Sequence, residues 1–323
     1  MKDDTSRKDS GNITNMIVQI YEIQTPQEAV KCIESGVDHI GSVLSTKEEW
    51  RQPLLKEMFQ VSKAADAKNS LIPLFQEEET LYRTLEYYVP TYLHFCDSLT
   101  NPLGQQIDLE AMIGLQRRLK KKFPEIGIMR TIPIPRKSEG SQDFPLLENA
   151  RAFASVSDIF LIDTWVQTEP VGGFVGITGQ TPDWDMAREL VLQSDIPVIL
   201  AGGLSPDNVY EALLKVIPAG ADSCTQTNRI DESGNSIRFK KDFKKVEKFV
   251  SEVRRAEEVL REKAVQLSLK LDELKEALED REAALPAHSV RPHQIMIIEE
   301  LEEEIDLKEK ELKRLKYAAE NTP

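Results

Sequence analysis

The sequence has few cysteines, no long apolar run and no excess of basic residues, and each of these absences excludes a class of protein. Its 323 residues include 3 cysteines, which lie far apart and lack the CxxC spacing of zinc or redox sites. No run approaches the roughly 18 apolar residues of a membrane-spanning helix. Lysine and arginine number 41 against 55 aspartates and glutamates, a formal net charge of -14. We therefore expect a cytoplasmic protein that binds neither a membrane nor nucleic acid.

Metal and cofactor sites are not expected either. His288 and His293 flank a proline-bounded turn without a third ligand, whereas zinc sites use three or four. Residues 1–15 are polar, of mixed charge, and lack the apolar stretch of a secretion signal. We expect these residues to form a disordered tail, and we expect the protein to hold no metal and no cofactor.

Short apolar segments alternate with amphipathic helical segments from residue 16 to about residue 250. This alternation is typical of a parallel sheet whose strands are joined by crossover helices. Eight strands over roughly 225 residues predict an α/β fold, a (β/α)8 TIM barrel. The clearest helix start is Thr25-Pro26-Gln27-Glu28, which has an N-cap, an early proline and a capping-box glutamate. The strands are predicted at Met16–Tyr21, Val37–Leu44, Leu71–Phe75, Thr91–Cys96, Gly127–Ile132, Ile159–Trp165, Val198–Leu204 and Ala221–Thr225.

Residues 251–323 show no strand signal and carry two heptad series of apolar residues. The segment Pro286–Pro292 separates the two series, so we expect two long helices folded into an antiparallel coiled-coil hairpin. Such an arm is suited to homo-oligomerisation or to binding a protein partner. The alternative is a hairpin that buries only its own seam. The seam residues are Leu260, Ala264, Leu267, Leu271, Leu274, Leu278 and Leu285, then Ile298, Leu301, Ile305, Leu312 and Leu315.

The most informative segment joins the seventh predicted strand to the next helix. The strand ends on Gly202 and Gly203, which allow backbone amides to approach an anion closely. Leu204 and Ser205 follow, and Ser205 is suited to cap a helix whose N-terminus attracts a phosphate. The segment therefore predicts a phosphate site. A glycine pair that merely turns a strand into a helix is the alternative at this point.

Candidate catalytic and binding groups are found where the other predicted strands end. In a barrel of this type, the active site is built from the carboxyl ends of the strands and the loops that follow them. The loop after the sixth strand adds Gly176 and Gly179 to these candidates. The side chains at the strand ends include Tyr21, Glu22, Cys96, Asp163 and Thr225.

Four segments in this order resemble the phosphoribosylanthranilate isomerase family. They are residues 40–43 (IGSV), 161–164 (LIDT), 176–184 (GITGQTPDW) and 199–209 (ILAGGLSPDNV). The resemblance runs from about residue 16 to residue 249. It implies an intramolecular oxidoreductase of tryptophan biosynthesis, an aldose-ketose isomerase that carries out an Amadori rearrangement. It also implies a phosphorylated ribosyl small molecule as the ligand.

The resemblance implies roles for particular residues. Asp163 matches the general acid, which protonates the ribose ring oxygen before a base removes a proton from the second sugar carbon. Gly202, Gly203 and the amides entering the next helix match the phosphate-binding loop.

The general base departs from the family pattern. The family's first strand ends in Lys-Ile-Cys-Gly with cysteine as the base, whereas this chain has Gln19-Ile20-Tyr21-Glu22. The phenol of Tyr21 would need its pKa lowered by about 3 units to act at neutral pH. Glu22 is already ionised, but it faces the pocket only when the strand ends or bulges at Tyr21. Cys96 is a third candidate base.

Two binding features also depart from the family. The eighth strand has Thr225 near the position of a family glycine, so phosphate binding there would need a donor from Thr225. The family's carboxylate-binding arginine after the second strand has no match in register. Arg51 lies nearby in the sequence and could take the place of that arginine only if the loop were shifted.

Two main functional hypotheses follow from these observations, beside a third, ranked last, in which the barrel is only a structural platform for coiled-coil assembly. The first is an active isomerase with a non-standard base. The second is a catalytically inactive barrel that binds a sugar phosphate and acts as a sensor or assembly module through its coiled coil. Turnover of the ribosylated anthranilate distinguishes the two.

Overall fold

We analysed a computed structural model that describes residues 16–139, 143–285 and 292–320. The predicted disordered tail, residues 1–15, lies outside the described residues. The chain divides into two compact units, and residues 16–256 form the first. Glu257–Pro323 belong to the second.

The first unit is a closed barrel of eight parallel strands in sequential order, which confirms the predicted fold class. The barrel closes where β1 pairs with β8, with Ile17 opposite Gly220 and Ile20 opposite Ser223. Its interior includes Met129, Leu161 and Ile199, all buried. The strands are β1 (Ile17–Ile20), β2 (His39–Leu44), β3 (Lys68–Pro73), β4 (Tyr92–Phe95), β5 (Gly127–Pro135), β6 (Ile159–Trp165), β7 (Val198–Leu200) and β8 (Gly220–Ser223).

Helices connect successive strands of the barrel. The first has the predicted start, because Thr25 caps it and the Glu28 side chain returns to the Thr25 backbone. The connecting helices are α1 (Pro26–Glu34), α2 (Pro53–Ala64), α3 (Glu78–Tyr88), α4 (Glu110–Lys122), α5 (Leu146–Phe153), α6 (Trp184–Gln193) and α7 (Val209–Val216).

Several element ends differ from the sequence prediction. The seventh strand ends at Leu200 and not at Leu204, because Gly202 and Gly203 have positive φ angles of 80° and 57°. The next helix begins at Val209 and not directly after Ser205. Asn208 occupies the N-cap position of the helix, whereas Ser205 caps the turn before it, where its Oγ accepts a hydrogen bond of 3.2 Å from the Asp207 amide.

A two-stranded antiparallel hairpin follows the barrel's last strand and was not predicted. It consists of β9 (Asn228–Ile230) and β10 (Ser236–Lys241), preceded by a 3-10 turn at Thr225–Thr227. Its strands are short, mostly polar and partly exposed, so they lack the apolar alternation that marks a strand in a sequence.

The last two helices are α8 (Phe243–Ala283) and α9 (Pro292–Glu320), and the second unit contains α9 and the part of α8 from Glu257 onward. Within it Leu271, Leu274 and Ile305 are buried against one another, as the heptad pattern predicts. The ion pair between Lys263 and Glu311 spans 2.8 Å across the two helices. The predicted turn lies outside the described residues except for Pro292. Among the residues that the structure describes, no helix is long and apolar enough to cross a membrane.

Candidate active site

A cavity opens at the carboxyl ends of the barrel strands, and we call it the barrel cavity. Apolar residues from several strands form part of its wall, including Val43, Ile72 and Leu161. Ionisable side chains project into the same space, so the cavity combines proton donors and acceptors with an apolar surface. These side chains are Tyr21, Glu22, His94, Cys96, Asp163, Asp222, Cys224 and Arg238.

Asp163 lies near the end of β6, where the alternation of the strand directs it into the cavity together with Leu161. Its Oδ1 accepts a hydrogen bond of 2.7 Å from the Thr164 amide. Burial raises the pKa of this carboxyl to about 6. Gly176 packs so closely that a Cβ atom there would lie 2.5 Å from Asp163 Oδ2. The carboxyl group is thus held in place and titrates near neutral pH.

Asp222 on β8 is a second carboxyl of the cavity that the sequence analysis did not select. It is buried, and its Oδ1 accepts a hydrogen bond of 3.1 Å from Gln19 Nε2. Burial raises the pKa of Asp222 to about 8, and the charge of Asp163 contributes in the same direction. Asp222 therefore keeps its proton at neutral pH. An acidic residue in an apolar strand was its only signal in the sequence.

Tyr21 follows β1 and faces the cavity, but it is bound to a neighbouring side chain. Its hydroxyl lies 2.6 Å from His94 Nδ1, and His94 Nε2 lies 2.8 Å from Thr131 Oγ1. Burial raises the pKa of the Tyr21 phenol well above 10 and lowers the pKa of His94 to about 3. At neutral pH both groups are uncharged.

Glu22 also turns into the cavity, because β1 ends at Ile20 and Glu22 adopts a left-handed φ of 62°. The side chain is fully buried, and its carboxylate receives three hydrogen bonds. Asn228 Nδ2 donates over 2.7 Å, Arg238 Nε over 2.7 Å and the Phe239 amide over 3.0 Å. Burial alone would raise the pKa of Glu22, but these donors outweigh it and lower the pKa. Glu22 is therefore ionised.

The three donors to Glu22 all belong to the hairpin of β9 and β10. The Arg238 guanidinium lines the cavity and lies 4.9 Å from the centre of the Phe239 ring. Sequence reasoning missed Asn228 and Arg238 because their positions depend on the hairpin. The turn-forming Ser233-Gly234-Asn235 was the one local signal that it exists.

A second, open cleft lies at the same end of the barrel, and we call it the glycine cleft. Its wall includes Gly179, Gly203, Ser205, Asn208 and Gln226. Arg136 and Lys137, from the loop after β5, also line this cleft and were not predicted; Arg136 is paired with Glu139, and Lys137 lies 3.0 Å from Asp185. The backbone at Gly203 passes so close to Gln180 that a Cβ atom would lie 2.6 Å from the Gln180 carbonyl carbon.

The glycine cleft adjoins Asp163 through the loop that follows β6. Thr164, the neighbour of Asp163, donates its hydroxyl to the Gln180 carbonyl over 2.6 Å. Gln180 lines the cleft, while Gly176 of the same loop lines the barrel cavity. The Asp163 carboxyl group and the glycine cleft therefore lie side by side at one end of the barrel.

The remaining candidate residues occupy various positions around this region. Thr225 lies beside the cleft, where its hydroxyl is 3.5 Å from the position of a Cβ atom on Gly179. Leu204 is buried, and its carbonyl accepts a hydrogen bond from Ser223. The Arg51 guanidinium lies 5.1 Å from the Tyr87 ring centre and is not among the described residues that line the cavity or the cleft. Burial raises the pKa of the Cys96 thiol strongly, so it carries no charge.

No three His, Cys, Asp or Glu side chains are placed to hold a metal ion within the described ranges. The barrel cavity can instead perform proton transfer with its own groups. It holds one carboxylate, Glu22, one carboxyl that titrates near pH 6, Asp163, and one protonated carboxyl, Asp222.

Comparison with known proteins gives a consistent result. The family model described as N-(5'phosphoribosyl)anthranilate (PRA) isomerase matches residues 112–252. N-(5'-phosphoribosyl)anthranilate isomerase 2 of Methanosarcina mazei is 33% identical over 238 residues, which cover 72% of this chain and 97% of that protein. The isomerase of Methanocella arvoryzae is 27% identical over 237 residues and matches 73% and 97% of the two chains.

Solved structures show the same fold. Phosphoribosyl anthranilate isomerase from Thermotoga maritima superposes with a TM-score of 0.52 at 20% identity, covering 74% of this chain and 98% of that one. The enzyme from Pyrococcus furiosus gives a TM-score of 0.50 at 23% identity, with coverages of 75% and 100%. With identity above 30% across nearly the whole length of a relative, this chain belongs to the N-(5'-phosphoribosyl)anthranilate isomerase family.

Proposed function

We propose that the chain catalyses the Amadori rearrangement of N-(5'-phosphoribosyl)anthranilate to the corresponding ketose, a step of tryptophan biosynthesis. One observation carries the proposal: the Asp163 carboxyl, which titrates near neutral pH, lies beside a glycine-rich anion cleft at the same end of the barrel. The relatives are named as isomerases, which favours an enzyme over an inactive sugar-phosphate sensor.

Asp163 is the proposed general acid. In its protonated form it donates a proton to the ribose ring oxygen while the bond from that oxygen to the first sugar carbon breaks. The nitrogen lone pair forms a double bond to this carbon. A carboxyl with a pKa of about 6 is suited to this role, because it holds a proton in part of the molecules at neutral pH and releases it readily.

Glu22 is the proposed general base. It removes the proton from the second sugar carbon, and the resulting enol rearranges to the ketose. A carboxylate offers about four lone-pair sites, and the three hydrogen bonds to Glu22 leave one for the substrate proton. Tyr21 is the weaker candidate, because its phenol keeps its proton and is bound to His94.

The glycine cleft is the proposed phosphate site. Gly203 brings its backbone to the wall of the cleft, whereas Gly202 packs against Thr164 and Pro182 just behind it. Arg136 and Lys137 place cationic groups at the cleft, each also paired with a carboxylate, Glu139 and Asp185. A phosphoribosyl anthranilate isomerase of this fold has been solved in complex with reduced 1-(o-carboxyphenylamino)-1-deoxyribulose 5-phosphate, which supports a phosphorylated sugar as the ligand.

The experiment supplies N-(5'-phosphoribosyl)anthranilate to the purified full-length protein and separates aldose from ketose by chromatography. The expected result is ketose from the wild type, and a loss of at least 100-fold in Asp163→Asn and in Glu22→Gln. Glu79→Gln, which changes an exposed carboxylate on α3, is the control and should keep full activity. Saturable binding without any ketose from the wild type would refute the proposal and favour the sensor.

A further inference from the structure

Of the described residues that line the barrel cavity, Arg238 is the one with a cationic side chain. Its Nε donates to Glu22 Oε1 over 2.7 Å. Its Nη2 is buried, and no hydrogen-bond partner for it occurs in the described part of the chain. Because a guanidinium has five donor hydrogens in a planar fork, the contact with Glu22 leaves donors for a ligand.

The cationic groups near Arg238 outnumber the carboxylates while Asp163 is protonated. Lys241 is also buried, its Nζ donates to the Cys224 carbonyl over 2.7 Å, and its charge acts on Glu22. Two cations, Arg238 and Lys241, therefore face one carboxylate, Glu22, and the net charge is about one positive unit when Asp163, which lines the same cavity, holds the proton it donates as the proposed acid. Asp222 adds no charge near neutral pH, since its carboxyl is protonated. This side of the cavity suits an anionic group.

We propose that Arg238 binds the carboxylate of the substrate's anthranilate ring and so determines specificity for a carboxylated aromatic amine. The inference rests on the proposed function and assigns a second anion site of the same substrate. The phosphate of the substrate binds in the glycine cleft, and Arg238 is not among the described residues that line this cleft. The second anion of the substrate, its carboxylate, then faces Arg238 in the barrel cavity. Glu22 holds the guanidinium in place.

The hairpin explains how an arginine reaches this position. The backbone at Phe239 takes a left-handed φ of 59°, and the register of β9 and β10 shifts between Ser236 and Lys241. This irregularity lets the Arg238 side chain and the Phe239 amide contact the same carboxylate, Glu22. Irregular strand geometry of this kind commonly re-aims a side chain next to a binding site.

The test compares two substrates in the full-length protein: N-(5'-phosphoribosyl)anthranilate and N-(5'-phosphoribosyl)aniline, which lacks the carboxylate. Arg238→Met is expected to raise KM for the first substrate by about 10- to 100-fold and to change KM for the second less than threefold. Arg238→Lys keeps the charge but loses the fork, so it should give an intermediate KM for the anthranilate substrate. Lys240→Met removes an exposed cation from the same strand and should leave both KM values unchanged.

The aniline substrate separates a binding role from a structural one. A weaker hold on Glu22 in Arg238→Met lowers kcat for both substrates alike, whereas lost carboxylate binding raises KM for one alone. An equal rise of KM for both substrates, or no rise for either, would overturn the inference. If the wild type turns over neither substrate, that result would instead refute the proposed function. Should Arg238→Met fail to fold, the KM ratio of Arg238→Lys decides the question.

Discussion

Replacing Asp163 by asparagine should lower turnover by at least about 100-fold and at the same time stabilise the fold at neutral pH. Burial raises the pKa of Asp163 from 3.8 to about 6. Since one pKa unit corresponds to about 1.4 kcal/mol, ionising this carboxyl in the folded protein costs about 3 kcal/mol. Asparagine has the same shape, remains neutral, and its oxygen still accepts the Thr164 amide. The unfolding free energy of the Asp163→Asn variant should therefore exceed that of the wild type by up to about 3 kcal/mol.

The sign of this effect fixes its pH dependence. Because the folded pKa lies above the unfolded one, the cost is absent below pH 4, grows between pH 4 and pH 6, and is constant above that range. Urea unfolding of Asp163→Asn and the wild type at pH 4, 5, 6 and 8 measures the difference. The Glu79→Gln control should show no comparable trend. An equal difference at pH 4 and pH 8, or a less stable variant at pH 8, would refute the reasoning.

The same titration predicts the activity profile. When Asp163 acts as the general acid, kcat/KM of the wild type falls above pH 6, and at pH 7.5 about 3% of the carboxyl groups are protonated. Asp163→Asn should lower kcat/KM by about 10²- to 10⁴-fold near pH 6. An undiminished rate in the variant would remove the acid assignment.

Three further predictions concern other parts of the chain. Gly203→Ala should raise KM for the phosphorylated substrate at least tenfold, because the added Cβ atom would collide with the Gln180 backbone. Gly172→Ala is the control, since a Cβ atom there would meet open space. Equal KM values for the two variants would contradict the prediction. Tyr21→Phe should keep kcat within a few-fold, since burial keeps the phenol protonated and Glu22 is the proposed base; a 100-fold loss would contradict this. Removing residues 257–323 should leave a folded barrel with a lower mass per particle in light scattering, and an unchanged oligomeric state would contradict assembly through the arm.

The barrel could be predicted from the sequence because its signals are local. Each strand is a short apolar run, and each connecting helix has its own stripe or cap, as at Thr25. The candidate acid could also be predicted from the sequence, since its place at the end of a barrel strand directs Asp163 toward the active-site end of the barrel. The glycine pair predicted the cleft but not its geometry, because the helix begins only at Val209.

The rest of the site depends on contacts between distant segments. Glu22 and Asn228 are 206 residues apart, and their hydrogen bond depends on the fold of the hairpin. The raised pKa of Asp222 follows from burial, which a single strand residue does not reveal. Alternation along β1 would place Tyr21 and Glu22 on opposite faces. The left-handed turn at Glu22 overrides that expectation.

Backbone strain links the proposed base, Glu22, to the hairpin of β9 and β10. Of the described non-glycine residues with positive φ, Asp66, Val89 and Ile217 lie at the ends of helices, whereas Glu22, Ile177 and Phe239 lie at the barrel cavity or contact a residue that lines it. Such a conformation costs on the order of 1–3 kcal/mol per residue and persists only where its surroundings hold it. The three hydrogen bonds from the hairpin to Glu22 are that support. Glutamate at position 22 therefore depends on the hairpin of β9 and β10, because without the hairpin Glu22 would be a strained, buried and unpaired charge.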